Sequence, residues 1–262
     1  MVIGNPILHS KSPLLHALAY KAAGIDAVLL PREHTDVQKL IAAIRTLSVG
    51  LSAVTMPFKQ SSMRLLDSID PAALKIDAIN TIINRNGKLI GYNTDIFGIE
   101  YALKKLTLRN KNVLLLGAGG AAQAAAYTVK KNGGQLIYAN RTLKRAQALQ
   151  KKFGGRITPL NRLTPKDIGV IINATPIGMY PDIQSLPLPE SLLGRHQMVF
   201  DLVYNPAQTA LLKSAKRAGA QTISGLDMFV AQGVRQVELW TGKKIITPKL
   251  VVQLKRQIEK TL

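Results

Sequence analysis

The chain has 262 residues, 47% of them hydrophobic, with 20 glycines and 13 prolines, which is typical of a folded globular protein rather than a disordered or collagen-like one. Cysteine is absent, and this excludes disulfides, thiolate nucleophiles and cysteine-ligated metal sites. The net charge of +20 raises nucleic acid as a partner, but the basic residues lie in small scattered groups, so we expect no nucleic-acid partner and a surface that suits anionic small molecules.

No stretch reaches the roughly eighteen consecutive apolar residues of a membrane span, and the first residues lack the layout of a signal peptide. The sequence therefore predicts a cytoplasmic protein with no membrane partner. It does not decide between a monomer and a homodimer. The four histidines, His9, His16, His34 and His196, show no ligand spacing, so no metal is expected.

The first hundred residues alternate apolar runs with helical periodicity, which predicts β/α alternation. The predicted elements are strands at 27–31 and 51–58 and helices at 37–47 and 61–66. On either side of Asn86-Gly87, the segments INTIIN and LIGYN are predicted to form an antiparallel pair, because Asn-Gly supplies the positive φ angles of a tight hairpin turn. This region is therefore predicted to hold a mixed sheet.

From about Asp95 the pattern is that of a nucleotide-binding domain. A helix, a strand, a glycine turn, a second helix and a second strand follow one another, which is a βαβ unit. In chain order, the predicted elements are a helix at 97–106, a strand at 112–117, a helix at 121–132, strands at 135–140, 170–175 and 198–204, a helix at 207–218, a strand at 220–225, and helices at 227–241 and 247–261. The proline-rich stretch 176–189 is predicted to be a long loop.

The glycine turn carries the clearest motif. It has the form G-x-G-x-x-A directly between a strand and a helix, and its candidate cofactor-binding residues are Gly117, Ala118, Gly119, Gly120 and Ala121. Glycine permits the tight turn and a close approach of the backbone to a pyrophosphate, whose charge the amides at the helix N-terminus meet. The motif predicts a dinucleotide site.

The residues after the second strand of this unit indicate which dinucleotide is bound. An NAD site would favour an acidic residue there for the ribose 2′-hydroxyl, but the sequence has Asn140, Arg141 and Thr142, with Lys144 and Arg145 one turn later. Cationic side chains at this position suit a 2′-phosphate. The sequence therefore predicts NADP (NADPH/NADP+) as the cofactor.

Small hydrogen-bonding residues of the first region could converge on a polyhydroxylated carboxylate. They lie at predicted strand ends or in loops and include one lysine and one aspartate: Ser10, Ser12, Thr55, Lys59, Asn80, Asn93, Thr94 and Asp95. Each also has an ordinary structural explanation, such as a helix cap, a turn or a solvated lysine.

These motifs together resemble the shikimate dehydrogenase family over almost the whole chain. The matching strings, in chain order, are GNPILHSKSP, VTMPFK, AINT, GYNTDIFG, GAGGAA, NRT, NATPIGM, DLVYNP and GLDMFVAQ. The resemblance implies an NADP-dependent oxidoreductase, acting in aromatic amino acid biosynthesis, that reduces 3-dehydroshikimate to shikimate. It implies Lys59 and Asp95 as the catalytic pair.

The resemblance also assigns the remaining site residues. It implies that the substrate is bound by Ser10, Ser12, Thr55, Asn80, Tyr204 and Gln232. It adds Thr175, Leu202, Gly225 and Met228 to the cofactor site. Two departures from the family pattern are Ala17, where Asn is frequent, and Asp77, where Gly is common, and the second puts a turn conformation in question.

The implied architecture is two α/β domains with the active site in the cleft between them. Residues 1–95, completed by 231–262, would form the substrate-binding domain with a mixed sheet, and residues 96–230 a Rossmann-type NADP domain. The C-terminal helices would return to the first domain. Three alternatives stay open: an NAD-dependent quinate/shikimate dehydrogenase, a folate- or tRNA-linked dehydrogenase of similar layout, and a basic nucleic-acid-binding protein that has kept the fold.

Overall fold

A computed structural model describes residues 1–7, 10–104 and 106–262, so His9 lies outside the described residues. The chain forms two compact units. Unit 1 comprises Met1–Gly98 and Val230–Thr261, and unit 2 comprises Ile99–Phe229 with Leu262. Within the described ranges, no helix is both long enough and apolar enough to cross a membrane.

The regular elements alternate between strands and helices along the chain. The strands are β1 (Val2–Gly4), β2 (Pro31–Glu33), β3 (Leu51–Val54), β4 (Ser68–Ile69), β5 (Thr81–Arg85), β6 (Lys88–Tyr92), β7 (Asn112–Leu116), β8 (Gln135–Ala139), β9 (Arg156–Ile157), β10 (Val170–Asn173), β11 (Met198–Asp201) and β12 (Gln221–Ser224). The α-helices are α1 (Ser12–Ala23), α2 (Val37–Thr46), α3 (Phe58–Ser61), α4 (Pro71–Ile76), α5 (Asp95–Leu103), α6 (Gly120–Lys131), α7 (Leu143–Phe153), α8 (Ala210–Arg217), α9 (Gly225–Thr241) and α10 (Pro248–Glu259). Short 3-10 turns occupy Met63–Leu65, Leu160–Arg162, Pro165–Asp167 and Glu190–Leu192.

Unit 1 contains a mixed sheet in the order β2-β1-β3-β5-β6-β4. Strand β1 pairs in parallel with β2 and β3, whereas β5 runs antiparallel to both β3 and β6. The predicted hairpin turn is present, with Asn86 and Gly87 both at positive φ. Thr81, at the start of β5, lies opposite Ala53 near the end of β3 and opposite Tyr92 at the end of β6. Segments that enter or leave these three strands therefore meet at one edge of the sheet.

Two details of the predicted elements in unit 1 are wrong. Residues 27–30 of the apolar run do not form a strand, and Val28 is 70% exposed. Strand β2 begins only at Pro31, where pairing with β1 starts. The helix predicted at 61–66 begins earlier, at Phe58, and is followed by a separate 3-10 turn. In both places the hydrophobic pattern located apolar residues correctly. It could not show which backbone groups are hydrogen-bonded, and those bonds set the bounds of the strand and the helix.

The C-terminal part of unit 1 packs against its sheet and first helices. Arg85, at the end of β5, donates hydrogen bonds to the carbonyls of Leu239 and Trp240 near the end of α9, at 2.6 and 2.8 Å. A Cβ atom on Gly50 would lie 2.5 Å from the Trp240 indole nitrogen, so only glycine fits there. Helix α10 packs on α1. The end of α9 is thus fixed on the β5 side of unit 1.

Unit 2 contains a fully parallel sheet in the order β12-β11-β10-β7-β8-β9. Its central strands β7, β10 and β11 are almost completely buried, as expected when helices cover both faces. From β7 the chain runs outward through β8 to β9 and then returns to β10 on the other side of β7. The topological switch point, where ligands bind in doubly wound folds, therefore lies between β7 and β10. The predicted fold class, with a mixed sheet in the first unit and a Rossmann-type second unit, is confirmed.

Candidate functional site

The candidate catalytic pair of unit 1 forms a close contact. Lys59 lies on α3, the helix that follows the C-terminal end of β3, and Asp95 is the first residue of α5. Lys59 Nζ lies 2.5 Å from Asp95 Oδ2, and the two side chains are 17% and 6% exposed. Asp95 Oδ1 accepts a second hydrogen bond, at 2.9 Å, from Asn80 Nδ2. Both carboxylate oxygens therefore accept from nitrogen donors, which is the pattern of an ionised carboxylate paired with an ammonium.

Asn80 is the centre of a buried polar cluster. It precedes β5 and is 3% exposed. Its Nδ2 also donates to Thr94 Oγ1 at 2.9 Å and to Gln232 Oε1 at 3.1 Å, while its Oδ1 accepts from the Thr94 backbone N–H at 2.7 Å. The structure thus brings together four predicted site residues from three separate parts of the sequence: Asn80, Thr94, Asp95 and Gln232. Asn93, in contrast, turns to the backbone and donates to the Ala78 carbonyl.

Ser10 and Ser12 lie at the start of α1. The Ser10 hydroxyl accepts a hydrogen bond from the Ser12 N–H at 3.2 Å, but the N-cap of α1 is Lys11, which makes no side-chain cap hydrogen bond. Ser12 is 9% exposed and its carbonyl accepts from His16 Nδ1. Thr55 follows β3, and its γ-methyl lies close to Gly4, where a Cβ atom would be 2.5 Å away. All three residues thus belong to unit 1, at the ends of its parallel strands or just beyond them.

The glycine turn of unit 2 joins β7 to α6 with the geometry that the motif predicts. Gly117 has φ +101°, and a Cβ atom there would lie 2.8 Å from the Ala174 carbonyl oxygen, so a larger residue is excluded. Gly119 precedes α6, which has no side-chain cap, and nothing lies within 4 Å of a Cβ built on Gly119. A helix N-terminus without a side-chain cap, next to a glycine with open space beside it, fits a pyrophosphate. Gly120 and Ala121 are the first residues of α6, after Ala118 in the turn.

The segment after β8 carries the residues predicted to select the cofactor. Asn140 donates from its side chain to the Thr142 carbonyl at 2.9 Å, and Thr142 precedes α7. Arg141, Lys144 and Arg145 are exposed to solvent. These exposed cations lie beyond the carboxyl end of the strand next to the glycine turn, which is where the ribose 2′-position is bound in this fold.

The other predicted cofactor residues follow the carboxyl ends of neighbouring strands. Thr175 comes after β10, and its γ-methyl is 3.1 Å from a Cβ built on Gly117, so the two flank the switch point. Gly225 lies against Leu202, whose carbonyl oxygen would be 2.5 Å from an added Cβ. Met228, on α9, is 7% exposed.

Tyr204 and the other predicted substrate residues belong to different units. It belongs to unit 2, whereas Ser10, Ser12, Thr55, Asn80 and Gln232 belong to unit 1. Its ring stacks on Phe229 with 4.1 Å between the centroids.

The sequence analysis missed a buried aspartate at the carboxyl ends of the strands of unit 2. Asp201 ends β11 and accepts hydrogen bonds from Asn173 Nδ2, Thr209 Oγ1 and the Val203 N–H. Asn173 Oδ1 in turn accepts from the N–H and hydroxyl of Thr175. Burial raises the pKa of Asp201 from 3.8 to about 6. Asp201 therefore ties together the two loops that follow β10 and β11. A lone Asp inside the string DLVY gave no signal of this.

Three family models match the chain. They describe a shikimate dehydrogenase substrate binding domain over residues 2–82, a shikimate / quinate 5-dehydrogenase over residues 100–178 and a shikimate 5'-dehydrogenase C-terminal domain over residues 225–245. The shikimate dehydrogenase (NADP(+)) of Pyrococcus abyssi is 41% identical over 92% of this chain and 91% of its own length. The chain belongs to the shikimate dehydrogenase family.

Other members of the shikimate dehydrogenase family give the same result. The bifunctional 3-dehydroquinate dehydratase/shikimate dehydrogenase of Arabidopsis thaliana is 38% identical over 92% of this chain, which spans 43% of that longer protein. The crystal structure of shikimate 5-dehydrogenase from Thermus thermophilus in complex with NADP(H) and shikimate has a TM-score of 0.89 at 33% identity, and covers 98% of this chain and 97% of that one.

Proposed function

We propose that this chain catalyses the reversible, NADPH-dependent reduction of the ring ketone of 3-dehydroshikimate to the alcohol of shikimate. The observation that carries the proposal is the buried contact between Lys59 and Asp95, held by Asn80 within a chain of this family. A lysine ammonium that is paired with a carboxylate and lies next to a polar cluster suits a reaction in which negative charge develops on a carbonyl oxygen.

Lys59 is the better-placed acid of the pair. Its ammonium can stabilise the charge that develops on the substrate oxygen and can deliver a proton to it, whereas an ionised Asp95 only accepts hydrogen bonds. Asp95 orients Lys59 and is proposed to bind a substrate hydroxyl. In the reverse direction, the same group that delivers the proton during reduction takes it from the shikimate hydroxyl.

The substrate is proposed to be held by a set of polar side chains. Ser10 and Ser12 would donate to its carboxylate from the start of α1, and Thr55, Asn80, Gln232 and Tyr204 would bind its hydroxyls. The proposal includes the assignment of residues 1–95 with 231–262 to substrate binding and of 96–230 to NADP binding.

The cofactor is proposed to bind at the switch point of the parallel sheet. The turn from Gly117 to Ala121 would accept the pyrophosphate, and Asn140, Arg141, Thr142 and Arg145 would surround the adenosine ribose and its 2′-phosphate. Thr175, Leu202, Gly225 and Met228 would line the nicotinamide half. When bound, NADPH supplies the hydride; the protein contributes binding, orientation and the proton.

The test is a set of absorbance assays on the intact protein. We expect oxidation of NADPH with 3-dehydroshikimate, slower or no oxidation with 3-dehydroquinate, and a much lower rate when NADH replaces NADPH. Comparable rates with both ketones and with NADH would favour the quinate/shikimate alternative. No turnover of either ketone, together with salt-sensitive DNA binding, would favour the nucleic-acid alternative. A cytoplasmic location is a prediction of the sequence, which leaves both a monomer and a homodimer open.

A further inference from the structure

The orientation of the Asn80 side-chain amide determines whether its nitrogen or its oxygen faces the Asp95 carboxylate. Asn80 Oδ1 accepts a hydrogen bond from the Thr94 backbone N–H, which can only donate, so the amide oxygen must lie on that side. Its Nδ2 is thereby directed to Asp95 Oδ1 at 2.9 Å. A reversed amide would place one acceptor oxygen against another at Asp95. The position of Asp95, and of the Lys59 ammonium bound to it, therefore depends on this amide.

Two further side chains, those of Thr81 and Gln236, hold the Asn80 residue in place by hydrogen bonds. The Thr81 hydroxyl donates to Asn80 Oδ1 at 2.7 Å. Gln236 Nε2 donates to the Thr81 hydroxyl oxygen at 2.9 Å and to the Asn80 backbone carbonyl at 3.0 Å. Because Thr81 Oγ1 accepts from Gln236, its own proton is left for Asn80. Gln236 and Gln232 are four residues apart on α9, so they bind Asn80 from one face of the helix.

Neither Thr81 nor Gln236 can touch a bound substrate, since Thr81 is 0% and Gln236 1% exposed. Gln236 also has an unusual arrangement. Among the residues that the structure describes, its Oε1 has no hydrogen-bond partner, and the Nε2 of the neighbouring His16 has none either. His16 Nδ1 lies 2.8 Å from the Ser12 carbonyl oxygen and so is a donor. Burial lowers the pKa of His16 to about 4, so the ring is neutral and its Nε2 is an acceptor. Two acceptors cannot bond, and a buried unpaired oxygen destabilises the fold. The Gln236 amide is therefore oriented by its donors to Asn80 and Thr81, despite that cost.

We propose that Gln236 and Thr81 are positioning residues for the reaction: they fix the Asn80 amide, and through it the geometry of Asp95 and Lys59. This inference rests on the proposed function, because it takes Lys59 and Asp95 as the reacting pair. Small displacements of a catalytic group lower the rate of the chemical step more than they change ground-state binding.

The test uses a pair of variants at position 81. Thr81→Val keeps the shape of the side chain but removes the hydroxyl, and Thr81→Ser restores it. We expect Thr81→Val to lower kcat for 3-dehydroshikimate reduction about tenfold, with little change in the KM for NADPH, and Thr81→Ser to stay within about twofold of wild type. Gln236→Leu is expected to behave like Thr81→Val.

Val237→Ala is the matched control for loss of stability. Val237 is the next residue of α9 and is fully buried, so its truncation lowers the Tm but should leave kcat unchanged. An equal loss of kcat in Val237→Ala and Thr81→Val, or a wild-type kcat in Thr81→Val, would overturn the positioning role.

A second readout does not depend on activity. In protein labelled with ¹⁵N-asparagine, the Asn80 side-chain NH₂ signal, assigned by its loss in Asn80→Asp, should exchange with solvent at least about tenfold faster in Thr81→Val than in wild type or Thr81→Ser. Unchanged exchange would refute the positioning role even if the wild-type protein reduced 3-dehydroshikimate. An inactive wild type with the expected exchange pattern would refute the proposed function alone.

Discussion

The two units present their candidate site residues in opposite ways. In unit 1, Asn80, Thr94 and Asp95 are hydrogen-bonded to one another, and as whole residues, backbone included, they are only 2 to 4% exposed. In unit 2, the glycine turn offers backbone amides and open space, and Arg141 and Arg145 are exposed. Unit 1 therefore holds a preorganised set of side chains, whereas unit 2 offers a backbone shape and solvent-exposed charges. Substitutions in the polar cluster around Asn80 and Asp95 should change the rate of the chemical step, and those at the glycine turn and the exposed arginines the affinity for and choice of cofactor.

The largest effect is expected for Lys59. Lys59→Ala should lower kcat by about 10²-fold or more, because it removes the acid and the cation at the reacting oxygen, and should change KM much less. Steady-state kinetics with 3-dehydroshikimate measure both. Lys75→Ala, an exposed lysine on α4, is the control and should behave as wild type. A raised KM at wild-type kcat would make Lys59 a binding residue only.

Cofactor choice tests the other side of the comparison. We expect NADPH to be preferred over NADH by about 10²-fold or more in kcat/KM, because a 2′-phosphate gains charge-assisted hydrogen bonds that a bare ribose lacks. Arg141→Ala should reduce this preference mainly by raising the KM for NADPH, with kcat little changed. The measurement is kcat/KM for both cofactors in both proteins. An unmodified protein without preference would contradict this prediction.

Asp201 offers a pH-dependent test of unit 2. Its pKa is raised to about 6 from 3.8, so the folded state holds the proton more tightly than the unfolded chain does. The resulting stabilisation is complete below about pH 4 and is lost as the pH rises through about 6. In Asp201→Asn the group cannot ionise, so the free energy of unfolding of wild type should fall relative to the variant by about 2–3 kcal/mol over that range. Urea unfolding of both proteins at several pH values checks this, and parallel curves would contradict it.

The serines at the start of α1 test substrate binding in unit 1. Replacing Ser10 and Ser12 together by Ala should weaken substrate binding by about 1–3 kcal/mol, because both hydroxyls are proposed to donate to the carboxylate. The binding of NADPH should change less. Titration of each ligand separately measures the two affinities. An equal loss for NADPH would place the serines outside the substrate site.

The smallest expected effect concerns Asp77. It ends α4 in the left-handed conformation, at φ 53°, where glycine is unstrained, and its carboxylate accepts a hydrogen bond from Gln60. Asp77→Gly should raise the free energy of unfolding by up to about 1 kcal/mol, because relief of the strain outweighs an exposed hydrogen bond. Kinetic constants should not change. A lower Tm would mean that the Gln60 contact contributes more than the strain.

The sequence predicted the fold class and the glycine turn because both depend on local patterns. Hydrophobic periodicity marks strands and helices, and the positive φ of Gly117 needs a residue type that can be read directly. Contacts between distant segments could not be read in this way. The pairing of Asn80 with Gln236, 156 positions apart, and the binding of three donors by Asp201 depend on how the sheets are assembled. Short elements such as β4 and β9 were also missed, because two residues carry no periodicity.

The discontinuity of unit 1 has a consequence for protein synthesis. Unit 2 is formed by one continuous stretch, Ile99–Phe229, together with Leu262, whereas unit 1 needs Val230–Thr261 as well as Met1–Gly98. Domains usually fold in the order in which the ribosome makes them. Here the partners of Asn80 and Arg85 on α9 are made about 150 residues later. The stretch that forms unit 2 can therefore fold while the chain is still being translated, and the N-terminal half of unit 1 keeps part of its apolar and polar surface uncovered until α9 has emerged.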